Sequence, residues 1–297
     1  MSGLLSELLR VENICYRYDE NILALKNVSV SFRSGERVAV LGGNGAGKST
    51  FFLCCNGVLR PQSGKMFYNG REISKGKKDL FALRQAVGLV FQEPDSQIIA
   101  GSVESEVSFG PMNLRLPQNE VEQRVEQALE QMNISGYRDY APQYLSGGEK
   151  KRVSIADILA MRPEMILFDE PTASLDPENS DALEAILEEL SGAGITIVVS
   201  THDVNYAYRV ADRAIVFSRG EIIADDGIEE VFASEKTLEV AGLHKPLLYE
   251  AFEAVQKSFP DAVCGKRPRT IGQFRALVAG SRDQGAGSGG RGKIWLK

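Results

Sequence analysis

Gly42-Gly43-Asn44-Gly45-Ala46-Gly47-Lys48-Ser49 follows the apolar run Arg37-Val38-Ala39-Val40-Leu41 and leads into Thr50-Phe51-Phe52-Leu53. The run has a β-branched bias and reads as a buried strand, and Lys48 opens a helix. Between them the chain must turn through conformations closed to residues with a Cβ and must approach a ligand closely, both of which glycine permits. A strand, a glycine-rich turn and a helix start together aim successive backbone N–H groups at an anion. The G-x-x-x-x-G-K-[ST] spacing makes that anion the phosphate chain of a nucleoside triphosphate, with Lys48 reaching the β- and γ-phosphates and the Ser49 hydroxyl placed as a Mg²⁺ ligand.

A second strand run, Met165-Ile166-Leu167-Phe168, ends in Asp169-Glu170-Pro171. Parallel α/β sheets place ligands at the carboxyl ends of their strands. Asp169 suits Mg²⁺ held through water, because that ion keeps much of its hydration shell. Glu170 projects differently and is placed to polarise an attacking water. In isolation such a pair reads equally as solvated acids at a strand end; the upstream loop makes the difference. Ser146-Gly147-Gly148-Glu149 fits a capping box that starts a helix, with Ser146 as N-cap and Glu149 three residues on. Two glycines at that helix start also expose N–H groups to an anion, a second phosphate contact.

Taken in order, these landmarks resemble the ATP-binding cassette (ABC) ATPases. Tyr18 precedes the first core strand, where the family has an aromatic that stacks on adenine. The loop at 42–50 follows, then Gln92 in Val90-Phe91-Gln92-Glu93-Pro94, the signature Leu145-Ser146-Gly147-Gly148-Glu149, the pair Asp169-Glu170, the Asp loop Ser174-Leu175-Asp176, and His202 in Ser200-Thr201-His202-Asp203. The resemblance covers residues 10 to about 235. It implies an α/β fold, a P-loop NTPase (RecA-like) core with an antiparallel β subdomain and a helical signature subdomain, and ATP with Mg²⁺ as cofactors. ATP binding falls to Tyr18, Gly42, Gly43, Asn44, Gly45, Ala46, Gly47, Lys48, Ser49 and Thr50, and Mg²⁺ to Ser49, Gln92 and Asp169. Glu170, His202 and Gln92 take the catalytic roles. Ser146, Gly147, Gly148 and Glu149 serve the ATP of a partner chain, in a homodimer or a heterodimer with a second ABC ATPase.

Two further stretches, Phe91-Gln92-Glu93-Pro94-Asp95-Ser96-Gln97 and Val107-Ser108-Phe109-Gly110-Pro111-Met112-Asn113-Leu114, resemble the energy-coupling-factor branch of importers, the cobalt type most of all. Lys150-Lys151-Arg152-Val153 and Ala160-Met161-Arg162-Pro163 fit the same branch. Gly43, Asp157 (where glycine is common on the signature helix) and Phe168 depart from the family pattern without removing a chemical group the mechanism needs. The resemblance implies an ATPase on the cytoplasmic face of the cell membrane, bound peripherally to integral membrane transport subunits. The alternatives are a vitamin-type importer ATPase or a soluble, non-transport ABC ATPase. DNA-repair cassettes carry a long coiled coil between loop and signature, and fewer than a hundred residues without sustained heptads separate Ser49 from Leu145 here.

Composition agrees with this reading. Of 297 residues, 43% are hydrophobic and 25% charged, ordinary for a globular chain. No apolar run approaches the ~18 residues of a membrane span, and Leu4-Leu5-Ser6-Glu7-Leu8-Leu9 lacks the basic flank of a signal peptide. Cys15, Cys54, Cys55 and Cys264 have no metal-ligand spacing and read as reduced thiols. A net charge of −6 argues against nucleic acid as a partner. It suits docking on basic cytoplasmic loops, with Glu93, Asp95, Glu104 and Glu106 as candidates for that face.

The expected division is an ABC ATPase domain at 10–235, a C-terminal helical extension at 236–280 and a disordered tail at 281–297, whose Gly/Ser/Arg-rich composition cannot build a core. Leu247, Leu248, Ala251, Phe252 and Val255 form an apolar helical stripe in the extension. The transported substrate is not legible, because an ATPase subunit need not touch it.

Overall fold

The computed structural model describes residues 6–20, 22–74, 76–173, 175–259 and 266–284. Ser174 of the Asp loop, Cys264 and the tail beyond 284 lie outside them.

The chain begins with long strands β1 (Glu7–Arg17) and β2 (Leu23–Arg33), paired antiparallel. Next come β3 (Arg37–Leu41), helix α1 (Lys48–Cys55), β4 (Ser63–Tyr68) and the short β5 (Arg71–Glu72). Strands β2-β1-β4-β5, in that order, make a four-stranded antiparallel sheet. Helix α2 (Lys77–Ala86) leads to β6 (Val87–Val90), and α3 (Val103–Asn113), α4 (Gln118–Gln131) and α5 (Gly147–Ala160) build a helical block before β7 (Met165–Asp169). Helix α6 (Pro177–Gly192), β8 (Thr196–Thr201), α7 (Val204–Val210) and the hairpin β9 (Arg213–Ser218) and β10 (Glu221–Gly227) complete the second sheet. Its order is β10-β9-β3-β8-β7-β6, parallel throughout except for the hairpin. The α/β class with an antiparallel subdomain and a helical block is as the sequence predicts.

Helix α1 lies between the two sheets and buries Phe51, Phe52, Cys54 and Cys55 among Leu9, Val11, Phe32, Leu167 and Phe217. The polar first turn, Lys48-Ser49-Thr50, faces the loop, and the remainder of the helix, enclosed between the sheets, is apolar all round. Every residue of β6, β7 and β8 is buried, as parallel strands covered on both faces require. Burial pushes the Cys54 thiol up to about 12 and Cys55 in the same direction, so both are protonated, inert core groups. A second core, with Val107, Val125, Leu129, Ile155 and Phe168, joins α3, α4 and α5 to the other side of the parallel sheet.

The extension differs in detail from its sequence pattern. Helix α8 (Ile228–Ala233) and α9 (Glu235–Ala241) pack on the hairpin, and α10 (Leu247–Ser258) buries Tyr249 and Phe252. Leu247 is 72% exposed, and Ala251 is exposed too, so the buried face is rotated from the expected stripe. Tyr249 sets that rotation by packing edge-on against Tyr208. Helix α11 (Ile271–Gln284) runs past residue 280, four residues into the expected tail. Among the described residues no helix is long and apolar enough to cross a membrane.

The four acids proposed for a docking face also separate. Glu106 is 3% exposed and accepts the N–H groups of Ile99 and Ala100, which removes it from any surface. Asp95 pairs with Lys150 and Glu104 with Arg138, while Glu93 is exposed.

Candidate nucleotide site

The loop from β3 to α1 lies at the carboxyl edge of the parallel sheet, beside the ends of β7 and β8. Gly47 takes φ 109°, and a Cβ there would lie 2.8 Å from the carbonyl of Ala24. A side chain at this position would therefore meet both an unfavourable backbone region and a main-chain atom. Lys48, 6% exposed, curls over the loop and donates to the carbonyls of Gly42 at 2.7 Å and Gly43 at 3.3 Å. Its Nζ also lies 3.3 Å from Glu170 Oε1.

Ser200, at the end of β8, orders the acidic pair. Its hydroxyl donates to Asp169 Oδ1 at 2.5 Å and accepts the Glu170 N–H at 3.1 Å. Glu170 has φ 42°, a left-handed conformation that non-glycine residues adopt at a cost of ~1–3 kcal/mol and that concentrates at functional sites. That turn separates the two carboxylates: Asp169 stays against Ser200, and Glu170 turns to Lys48 and, through Oε2, to His202 Nδ1 at 2.9 Å. His202 itself is 64% exposed. Ser200 belongs to the histidine motif, and it is the parallel register of β7 and β8 that sets Asp169 beside it.

A cleft of about 540 Å³ opens over the loop, lined among others by Tyr18, Asn44, Lys48, Ser49, Thr50, Gln92 and Glu170. That volume suits one nucleotide-sized ligand. Gly45, Ala46 and Gly47 line it as well. Tyr18 is 54% exposed at its mouth, held edge-on to Tyr16 and hydrogen-bonded to the Thr50 hydroxyl at 3.1 Å. An exposed ring fixed at one end is a stacking platform for a planar base. Ser49, Gln92 and Asp169 bring only oxygen and amide donors, the hard set that fits Mg²⁺.

The sequence-predicted signature does not line this cleft. Ser146 caps α5 and closes the full capping box: its hydroxyl accepts the Glu149 N–H at 3.3 Å, and Glu149 Oε2 accepts the Ser146 N–H at 2.7 Å. Hydrogen bonds from Tyr137 and Ser146 hold the Glu149 carboxyl below its ordinary range, so this side chain serves the cap. Gly147 has open space where a Cβ would point, whereas at Gly148 a Cβ would collide with the side-chain amide of Asn179 on α6. The two glycines thus differ: one leaves the helix start accessible, and the other admits a neighbouring helix.

Lys151, in the basic run after the signature, does not line the cleft but holds the segment that does. It is 2% exposed and donates to the carbonyls of Phe91 at 2.9 Å and Gln92 at 2.7 Å. Burial pushes its ammonium down to about 8, against the pull of Glu93 and Asp169. The signal was present in the spacing, since Gly148, Lys151, Ile155 and Leu159 recur at helical intervals along the buried stripe of α5.

Comparison with known proteins gives concordant likenesses. The ABC transporter family profile matches residues 25–173. The energy-coupling factor transporter ATP-binding protein EcfA of Methanothermobacter thermautotrophicus is 46% identical over 80% of this chain and 77% of its own length. The cobalt import ATP-binding protein CbiO of Rhodobacter capsulatus is 42% identical over 93% of this chain and 99% of its own. The structure of cbiO1 from Clostridium perfringens, part of the ABC transporter complex cbiONQ, has a TM-score of 0.71 at 37% identity, covering 86% of this chain and 96% of that one. An ATP-binding cassette dimer in a post-hydrolysis state, bound to ADP and Pi, has a TM-score of 0.66 at 29% identity over 74% of this chain and 99% of that one.

Proposed function

We propose, from the premise that this chain belongs to the ABC transporter family, that it is the ATP-hydrolysing, energy-coupling subunit of an energy-coupling-factor importer whose cargo is cobalt or a related metal ion. The observation that carries the chemistry is Glu170, set between Lys48 and His202 at the mouth of the phosphate loop. A carboxylate in that position accepts a proton from water and orients it for in-line attack on the terminal phosphate. The loop N–H groups and Lys48 hold the phosphates and neutralise the charge that develops there. His202, hydrogen-bonded to Glu170, registers the γ-phosphate.

Ser49 and Gln92, with Asp169 through water, would hold Mg²⁺, which when bound would supply charge neutralisation for the phosphates. Tyr18 stacks on the adenine. Ser146, Gly147 and Gly148 complete the site of a partner cassette, in a homodimer or a heterodimer, which explains why an accessible helix start stands outside the chain's own cleft. The exposed Ile99, Phe109 and Met112, together with the exposed acid Glu93, give this part of the chain a surface for an integral membrane subunit. Attachment there makes the chain peripheral on the cytoplasmic face of the membrane.

The test is to co-express the chain with its membrane subunits, reconstitute the complex in liposomes and measure ⁵⁷Co²⁺ uptake driven by Mg-ATP. ATP-dependent uptake that Glu170→Gln abolishes is the expected result. Vitamin uptake without cobalt uptake would move the chain to the vitamin-type branch, and ATP hydrolysis with no membrane partner recovered would overturn the transport reading.

A further inference from the structure

Lys151 has no part in the chemistry proposed above, yet the fold buries its charge almost completely. An ammonium is costly to desolvate, and an apolar side chain of similar length would fill the same space. Its hydrogen bonds therefore indicate what the charge is for. Both acceptors are main-chain carbonyls, those of Phe91 and Gln92, at the point where the chain leaves β6 and enters the cleft. The link thus runs between α5, whose first turn is the Ser146 signature, and the residue that lines the nucleotide cleft.

Two more contacts from the same face of α5 repeat the connection. Gln97 donates through Nε2 to the Ser154 carbonyl at 2.9 Å and to Asp157 Oδ2 at 3.2 Å, and its Oε1 accepts the Phe91 N–H at 3.2 Å. Phe91 is therefore held at both its N–H and its C=O. Residues 151, 154 and 157 are three apart, so they share one face of the helix. The surface pair of Lys150 with Asp95 lies along the same seam.

We propose that Lys151 is a positioning residue that fastens the Gln92 segment to the signature helix, so that the two move as one body. A shift of Gln92 on nucleotide binding is then delivered to Ser146 without passing through the sheet, and a shift imposed on the helical block by a membrane subunit returns along the same link. This purpose rests on the function proposed above, whereas the fastening is a property of the chain alone.

The experiment is hydrogen exchange and steady-state kinetics on Lys151→Met, in the full chain, with and without Mg-ATP. Amides at 91–100 should exchange at least about tenfold faster, with those of β3 and β7 unchanged. ATP affinity should stay within about twofold, and kcat should fall at least about tenfold. Unchanged exchange at 91–100, or uniform loss of protection including β3 and β7, would overturn the proposal. Should Lys151→Met fail to fold, Lys151→Gln, which keeps one donor, takes its place with the same readouts at smaller amplitude. Wild-type chain that hydrolyses no ATP would refute the function and leave the exchange result to decide the fastening.

Discussion

Glu170 Oε1 and Lys48 Nζ stand 3.3 Å apart at the phosphate loop, both largely buried. The same ammonium also holds the loop carbonyls of Gly42 and Gly43. A phosphate entering the loop competes for this lysine, and the carboxylate is then left to His202 and water. On the function proposed above, nucleotide arrival would therefore free the carboxylate assigned as the base, through a lysine at the start of α1 and a glutamate just past the end of β7.

Glu170→Gln keeps the side chain's shape and its capacity to hydrogen-bond, and removes the charge. Hydrolysis should fall by at least about 10²-fold, equal to ~2.7 kcal/mol of barrier. Nucleotide affinity should hold or rise, because the phosphate no longer competes with a carboxylate for Lys48. Steady-state ATPase together with fluorescent-nucleotide titration checks both parts, and near wild-type turnover would remove Glu170 from the base role.

Gly147→Ala and Gly148→Ala should separate function from packing. A Cβ on Gly148 must displace the Asn179 amide, which also donates to the cap residue Asp176 at 2.8 Å. That substitution should cost about 1–3 kcal/mol of stability, as overpacking does. Gly147→Ala meets nothing and should leave the melting temperature unchanged while lowering ATPase, because in the proposed dimer its Cβ would stand where a partner's phosphate approaches the helix start. Equal loss of stability in the two variants would contradict the distinction.

Local chain signals made much of this legible. The phosphate loop, the acidic pair and the capping box are each defined within a few consecutive residues, and each keeps its geometry wherever the fold carries it. What escaped depends on partners far away in sequence. Glu106 looks like surface charge until the turn at Ile99 and Ala100 folds over it. Lys151 looks like part of a basic run until β6 delivers two carbonyls to it. The buried face of α10 is chosen by Tyr208 and Phe232, aromatics outside the helix. Gly148 reads as an anion contact because Asn179 lies on another helix.

Mixing two inactive chains tests the shared site. Ser146→Arg should abolish turnover with nucleotide affinity of the isolated chain intact, at a capping cost of about 1 kcal/mol. Lys48→Ala disables the phosphate loop. A heterodimer of the two should regain one complete site and partial ATPase. Heterodimers that form without any recovery would count against the interchain arrangement.

Asp157 gives the protein a stability that depends on pH. Burial pushes its carboxyl up to about 7, and Glu106 adds to the rise, while the hydrogen bond from Gln97 opposes it. An acid whose folded pKa is raised stabilises the fold fully below its ordinary value of about 3.8, and that stability drains away as pH climbs through 7. Asp157→Asn keeps an oxygen for Gln97 Nε2 and removes the ionisation. Both proteins share every other titrating group, so the informative quantity is the difference between their stabilities. That difference should move in favour of the asparagine variant by about 1–2 kcal/mol between pH 5.5 and pH 8.5. Chemical denaturation of both proteins at the two pH values measures it. Parallel profiles would mean that Asp157 stays solvated or that its charge is neutralised in the native state. A shift in the opposite sense would mean that the Gln97 hydrogen bond outweighs burial.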